Sequence, residues 1–255
     1  MRILAVGDTH GNAKFWQHIF SAMSYLEYDV VVQVGDFGYW THVPGGEEYL
    51  DFLELHCEQK NINLFWVDGN HENFDDLYSL PIQDDGFRHV RPHIFHIPRG
   101  HTWEWDGVKF MGFGGAYSID QMDRVVNEMQ GDPKSWWPQE FITDDEVEKA
   151  IAAGPVDVLF AHDVPEGNQG LQEAFVLQKG WALDPIELSR QQRVQLRRVF
   201  DSARPSQLIH GHYHIRYNGE LDGCQITGLA HDNLRRPNEA LLVLDTAELN
   251  GTASQ

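Results

Sequence analysis

Cysteine is nearly missing from this 255-residue chain: Cys57 and Cys224 are the only two. That excludes a disulfide scaffold, and two lone thiols suit a reducing compartment. Long apolar runs are missing too. The first run, Ile3 to Val6, stops at Gly7-Asp8, too short for the core of a secretion signal. No run approaches the ~20 residues of a membrane span. These absences lead to the expectation of a cytoplasmic protein with no membrane partner. Positive charge is scarce as well: 19 Lys and Arg stand against 39 Asp and Glu, a formal net charge of −20. Such a surface repels long polyanions and anionic lipid, so long nucleic acid is not an expected partner. A small anion in a locally positive pocket is still allowed, and a bound metal ion can supply that charge.

What is present describes a globular α/β protein. The hydrophobic fraction is 42% and the aromatic fraction 12%, ordinary values for a folded domain, and the length can bury a large core. Arg2–Val6, Asp29–Val34, Asn63–Val67, Val156–Phe160 and Gln207–Ile209 are short, nearly continuous apolar runs, which predicts strands buried on both faces. Helical spacing between the first three, at 14–25 and 47–59, predicts βαβ units. Further strands are predicted at 94–97, 108–113, 224–229 and 240–244. A helix is predicted over 144–153, opened by Thr143 with Glu146 as a capping box. Another is predicted over 185–200, with Asp184 as its N-cap. The stretch 118–141, rich in Asp, Gln, Trp and Pro, reads as an irregular excursion. One domain over 1–247 is expected, with a loop excursion at about 116–143 and a frayed tail over 248–255.

Polar clusters follow the carboxyl ends of the first-named strands, the edge at which open α/β sheets bind ligands. They supply Asp8, His10, Asp36, Asn70, His162, His212 and His214. Carboxylate, amide and imidazole donors without thiolate are a hard-to-borderline metal set. Asp8 and His10 are alternate residues leaving a strand, as are His212 and His214, so each pair can turn into one site. Seven donors, with His71 kept free, exceed the needs of one ion and suit a two-metal site. Such a site performs metal-assisted phosphoester hydrolysis.

The blocks Gly7-Asp8-Thr9-His10-Gly11, Gly35-Asp36, Gly69-Asn70-His71-Glu72, His162 and Gly211-His212-Tyr213-His214 resemble, in order and spacing, the five motifs of the calcineurin-like metallophosphoesterases. The resemblance implies a four-layer α/β/β/α sandwich with a dinuclear centre. It implies that Asp8, His10 and His214 hold one metal, that Asn70, His162 and His212 hold the second, and that Asp36 bridges. It further implies that His71 contacts the phosphate and protonates the leaving group, with attack by a metal-bridged hydroxide. Two divalent ions are expected, Mn by resemblance, while Fe, Zn or Co suit the same donors.

Three departures accompany it. Protein phosphatases of the superfamily follow the bridging Asp with a second Asp and then an Arg. Here the stretch is Asp36-Phe37-Gly38-Tyr39-Trp40, so the partner carboxylate of the catalytic His and the phosphate-gripping Arg are both missing. Ala161 stands before His162 where Gly is commoner. These changes favour a phosphodiesterase acting on a small phosphodiester, including a cyclic nucleotide, over a phosphomonoesterase or protein phosphatase. A nuclease and a non-catalytic binding module are the remaining readings. Trp40, Trp136, Trp137 and Trp181 are either an aromatic wall for a flat leaving group or core under loops. Arg124, Arg216, Arg235 and Arg236 are candidate phosphate contacts, and 163–171 should line the site mouth. His89, His93, His96 and His101 are expected at the surface or on an edge strand, as are His18, His42, His56, His210 and His231.

Overall fold

The computed structural model describes residues 1–21, 25–168, 171 and 183–252. Two six-stranded sheets carry the fold. In the first, β1 (Arg2–Val6), β2 (Val30–Gln33), β3 (Asn63–Trp66) and β5 (Ile94–His96) run parallel, and β12 (Leu241–Asp245) and β4 (Arg88–Arg91) pair antiparallel at the edges, in the order β12-β1-β2-β3-β5-β4. The second repeats the plan. Parallel β7 (Val108–Phe113), β8 (Val158–Ala161), β9 (Gln207–His210) and β11 (Cys224–Gly228) lie between antiparallel β6 (His101–Trp105) and β10 (Tyr217–Leu221).

Alternation along the strands builds the layers, because successive side chains point to opposite faces of a sheet. Ile3, Ala5, Val30, Val32 and Phe65 face the second sheet, where Phe110, Val158, Phe160 and Ile209 meet them. Their neighbours Leu4, Val6, Val31, Leu64 and Trp66 face outward, against α1 (Ala13–Ser21) and α2 (Gly46–Lys60). On the far side Met111, Leu159, Leu208 and Ile226 pack on α5 (Asp144–Ala153) and α6 (Leu183–Ala203). Three apolar seams separate four layers, the expected α/β/β/α sandwich. Each fully buried Val, Leu, Ile or Phe in them contributes ~1.5–3 kcal/mol.

The α5 boundaries are those expected, and its capping box forms: Thr143 Oγ1 accepts from the Glu146 N–H, and Glu146 Oε2 accepts from the Thr143 N–H at 2.8 Å. Other expectations need correction. The 118–141 excursion contains α4 (Gln121–Met129) and a 3-10 turn, Pro138–Glu140. Asp184 lies inside α6 and does not cap it. Helix α1 is described over Ala13–Ser21, Tyr25 is not helical, and 22–24 lie outside the described residues. The expected frayed tail is helical through 252, in α7 (Thr246–Thr252), with Leu249 buried against the inter-sheet core, and 253–255 lie outside the described residues. Strands β4, β6 and β10 and α3 (Phe74–Ser79) have no counterpart in the sequence reading. Their apolar content is too low or too short to announce them. Among the described residues no helix is long and apolar enough to cross a membrane.

Candidate active site

The carboxyl ends of β1, β2, β3, β8 and β9 meet at one edge of the sandwich and carry all seven candidate ligands. Asp8 and Asp36 are buried, His10 is partly buried and His214 is exposed. These four each offer an atom within 4.8 Å of the others'. His214 Nε2 lies 3.1 Å from Asp8 Oδ2, and His10 Nε2 lies 3.5 Å from Asp36 Oδ2. Beside them, Asn70 Oδ1 is 3.1 Å and Asp36 Oδ1 3.5 Å from His162 Nε2, and the His212 ring stands 4.9 Å from that of His162. Asp36 thus lies between the two groups. Its other duty is structural: Oδ1 accepts the Asn70 and His71 N–H groups, both at 3.0 Å.

The local backbone is strained to achieve this. Among the described residues eight other than glycine have positive φ, and His10 (43°), Asp36 (52°), His212 (68°) and His214 (58°) are half of them. That region is costly for residues with a Cβ and persists where surrounding contacts enforce it, often at functional sites. Close approach demands glycine nearby. A Cβ at Gly211 would lie 2.0 Å from Asp8 Oδ1, and one at Gly69 2.1 Å from Asp36 Oδ1.

The donor set fits a cation. His162 Nδ1 is turned to the Val34 carbonyl at 2.8 Å, so in the neutral ring that nitrogen donates and Nε2 faces Asn70 Oδ1 and Asp36 Oδ1 with a lone pair. Acceptors pointing at acceptors need a positive charge between them. The electrostatics agree. Burial works against the charged form of His10, yet hydrogen bonding to Asp232 and Asp36 lifts it to about 11. Burial likewise opposes charge on His162, and the Asp36 and Asp8 carboxylates raise it nonetheless. Burial would raise Asp36, but His162, His71 and His10 hold it well below the usual carboxylate range. Asp232 stands 3.5 Å behind His10 Nδ1 and is itself held by Asn12 Nδ2 at 2.5 Å, the carboxylate–histidine pairing that orients metal ligands.

His71 is half-buried beside this group, with Nε2 4.0 Å from Asp36 Oδ2. Tyr39 does not take the place of the missing carboxylate; it is buried against Trp66. Arg124 of α4 meets His71 instead, Nη2 against Nε2, and the Trp40 indole N–H donates to the His71 carbonyl. Burial pushes the His71 imidazole down to about 4; Asp36 pulls the other way, while Arg124 and His10 add to the fall. Glu72, fully buried, accepts the backbone N–H groups of Phe37, Gly38 and Tyr39 and so shapes the loop after Asp36.

A cavity of about 640 Å³ opens over Asp36, Asn70, His71, His212 and His214. Its lining surface is mostly apolar, with Ile119, Val164, Pro165, Leu171 and Ile186 contributing, while Asp120, Glu166, Asn168 and Ser189 also line it. Of the expected 163–171, residues 164–168 and 171 line it, Asp163 is buried and does not, and 169–170 lie outside the described residues. Of the four candidate arginines only Arg124 lines it; Arg216 bonds the Leu241 carbonyl, and Arg236 pairs with Glu239. Arg193, not among the candidates, lines it too, with its Nε on Glu166 at 3.0 Å. Among the described residues, no candidate tryptophan lines the cavity. Trp40 serves His71, Trp137 is buried and bonds Asp75, Trp136 leans on Phe141, and Trp181 lies outside the described residues.

Two histidines expected at the surface are fully buried. His96, on interior strand β5, joins Arg99 on the Asp68 carboxylate, and His210 meets the Tyr217 hydroxyl at 2.6 Å. Sequence reasoning also missed Asp232, whose signal is its place four residues past the end of β11, and the buried pair Ser118 and Glu140, which has no motif.

The sequence profile described as calcineurin-like phosphoesterase matches residues 1–216. A comparison with curated protein sequences gave no match. Among solved structures, TT1561 of Thermus thermophilus is 13% identical with a TM-score of 0.54, over 96% of this chain and 98% of that one. The phosphopantetheinyl hydrolase of Mycobacterium tuberculosis is 14% identical with a TM-score of 0.47, over 95% of each chain. A novel archaeal phosphodiesterase is 15% identical with a TM-score of 0.43, over 97% of this chain and 95% of that one. At these identities the likeness to TT1561 is one of fold.

Proposed function

The chain belongs to the calcineurin-like phosphoesterases, and from that premise we propose that it is a dinuclear, metal-dependent phosphodiesterase acting on a small phosphodiester. Asp8, His10 and His214 would hold one divalent cation, Asn70, His162 and His212 the other, with Asp36 shared. Manganese is the proposed metal; iron, zinc or cobalt would suit the same donors. Such ions, when bound, supply Lewis-acid charge to phosphoryl oxygens and lower the pKa of water.

The chain's own groups do the rest. Arg124, its Nε held by Asp120 at 3.0 Å, aims Nη2 at the edge of the site beside His71. A phosphate seated there would take that donor from the ring nitrogen, and its negative charge would favour protonated His71. His71 could then hand its proton to the departing oxygen. The observation that carries the diester preference is the cavity. The cation against His71 is already paired with Asp120, Arg193 is paired with Glu166, and the lining surface is mostly apolar. That suits a singly charged phosphate with an apolar second arm. Arg124 is also the one observation favouring a phosphomonoesterase, since it restores a grip the motif lacks.

The test is a rate comparison on chelator-stripped protein restored with Mn²⁺, using bis-p-nitrophenyl phosphate and p-nitrophenyl phosphate, with His71→Ala as the blank. Faster metal-dependent cleavage of the diester is expected. Faster cleavage of the monoester would overturn the diester preference, and cleavage of neither would overturn the catalytic reading.

A further inference from the structure

A carboxamide has two ends that differ in function. Its oxygen can bind a cation; its NH₂ repels one. Asn70 can serve the proposed second metal only if Oδ1 faces His162, and burial alone does not choose between the two orientations. In the structure Oδ1 does face His162 Nε2, while Nδ2 donates to Ser118 Oγ at 2.9 Å. Ser118 is buried, and its Oγ donates in turn to Glu140 Oε2 at 2.7 Å. The second carboxylate oxygen, Oε1, accepts the Ser118 backbone N–H at 2.9 Å.

This chain of bonds has a direction. Burial lifts Glu140 to about 7 against the pull of its bonds to Ser118; at pH 8 it is ionised, both its oxygens accept, and the single Ser118 hydroxyl proton is committed to it. The lone pairs of Oγ are then what Asn70 meets, and only its NH₂ end can bond them. Glu140 is itself fixed. It ends the Pro138–Glu140 turn, where Arg99 Nη1 and Nη2 donate to the carbonyls of Gln139, Glu140 and Phe141. Arg99 is anchored by the buried carboxylate of Asp68 at 2.6 and 2.8 Å.

We infer that Ser118 and Glu140 are positioning residues that set the polarity of the Asn70 amide and so create the oxygen half of the second metal site. The inference rests on the dinuclear reading above. It assigns a task to a segment that reaches the site from outside the ligand-bearing strand ends.

Glu140→Gln tests it with almost no change of shape. Gln would satisfy the fixed Ser118 N–H with its oxygen and so turn its NH₂ toward Oγ. That frees the hydroxyl proton for Asn70 and favours Oδ1 turning away from the metal. The probe is Mn²⁺ alone, titrated by calorimetry into stripped protein at pH 8, with EPR reporting the spin-coupled pair. Wild type should take two ions. Glu140→Gln should bind the first as wild type does and the second roughly 10- to 100-fold more weakly, the usual effect of losing a group that orients a ligand. The Asn70→Asp/Glu140→Gln double variant should recover the second site, because a carboxylate offers oxygen whichever way it turns. If Glu140→Gln does not fold by circular dichroism, Ser118→Ala carries the same expectation. Two wild-type affinities in Glu140→Gln, or no recovery in the double variant, would overturn the inference. Fewer than two ions in wild type would overturn the dinuclear reading and the inference with it.

Discussion

Arg124→Ala separates two jobs that one side chain performs. Three of its contacts hold its own position: Asp120 Oδ2 at 3.0 Å, and the Asn70 and Ser135 carbonyls, each at 3.2 Å. The fourth, Nη2 on His71, is where phosphate is proposed to bind. Hydrogen bonds to a charged group are worth ~1.5–3 kcal/mol each at best, and the Asp120 carboxylate is 39% exposed, so that pair counts for less. A stability loss of about 2–4 kcal/mol is expected, or a fall in Tm of roughly 5–15 °C at this chain length. The catalytic loss should be larger and of a different kind. Removing one preorganised donor from a transition state costs about 10²–10³ in kcat. The assay is kcat and KM on the diester at saturating Mn²⁺, well below the lower Tm, beside calorimetric melting of the same samples. Arg124→Lys keeps the charge and loses the fork, so it should recover part of kcat. A kcat/KM within about threefold of wild type, with the melting shift present, would make Arg124 a scaffold only and refute the phosphate role.

Other expectations follow from the same geometry. Burial would raise the Asp68 carboxyl, but Arg99 and His96 overcome it and hold it well below the usual range. Its stabilisation is therefore present above the unfolded carboxylate value and lost only as pH falls through the folded one. Asp68→Asn strands a buried guanidinium and should cost ~3–5 kcal/mol, read as a Tm fall of roughly 10 °C at neutral pH; an unchanged Tm would remove Asp68 from the framework. Because His10 is lifted to about 11 in the metal-free protein, a metal must displace its proton. Apparent Mn²⁺ affinity should rise with pH, about tenfold per unit for one proton, and calorimetry in buffers of different ionisation enthalpy should show that proton released; pH-independent affinity would contradict it. Gly211→Ala places a methyl where Asp8 Oδ1 now lies. It should weaken Mn²⁺ binding at least about tenfold, and unaltered binding would show that the Asp8 position is not constrained there.

How much of this is legible in the sequence depends on the kind of signal. Parallel strands buried on both faces announce themselves as apolar runs, and the polar residues just beyond them, Asp8 through His214, can be read as one edge. Strand β10, Tyr217–Leu221, has little apolar content and gives no such signal. Helix α4, where Arg124 and the preceding Asp120 look like ordinary surface charges, reads as an irregular stretch, so sequence reasoning looks for the partner of His71 at Tyr39. Ser118 and Glu140 are 22 residues apart and meet only because the excursion folds back on itself beside Asn70. His96 looks like one of four interrupted histidines; only the pairing of β5 between β3 and β4 shows that it is buried. Periodicity reports which face a residue takes within its own element, and these contacts lie between elements.

The most direct test of the account is to see the ions. Crystals of the protein grown with Mn²⁺ and measured at the manganese edge should show two anomalous peaks. One should lie among Asp8, His10 and His214, the other among Asn70, His162 and His212, both reached by Asp36, at the ~3.5–4 Å spacing of two-metal sites. A single peak, or none near Asp36 while metal is bound elsewhere, would contradict the dinuclear site on which the proposed chemistry depends.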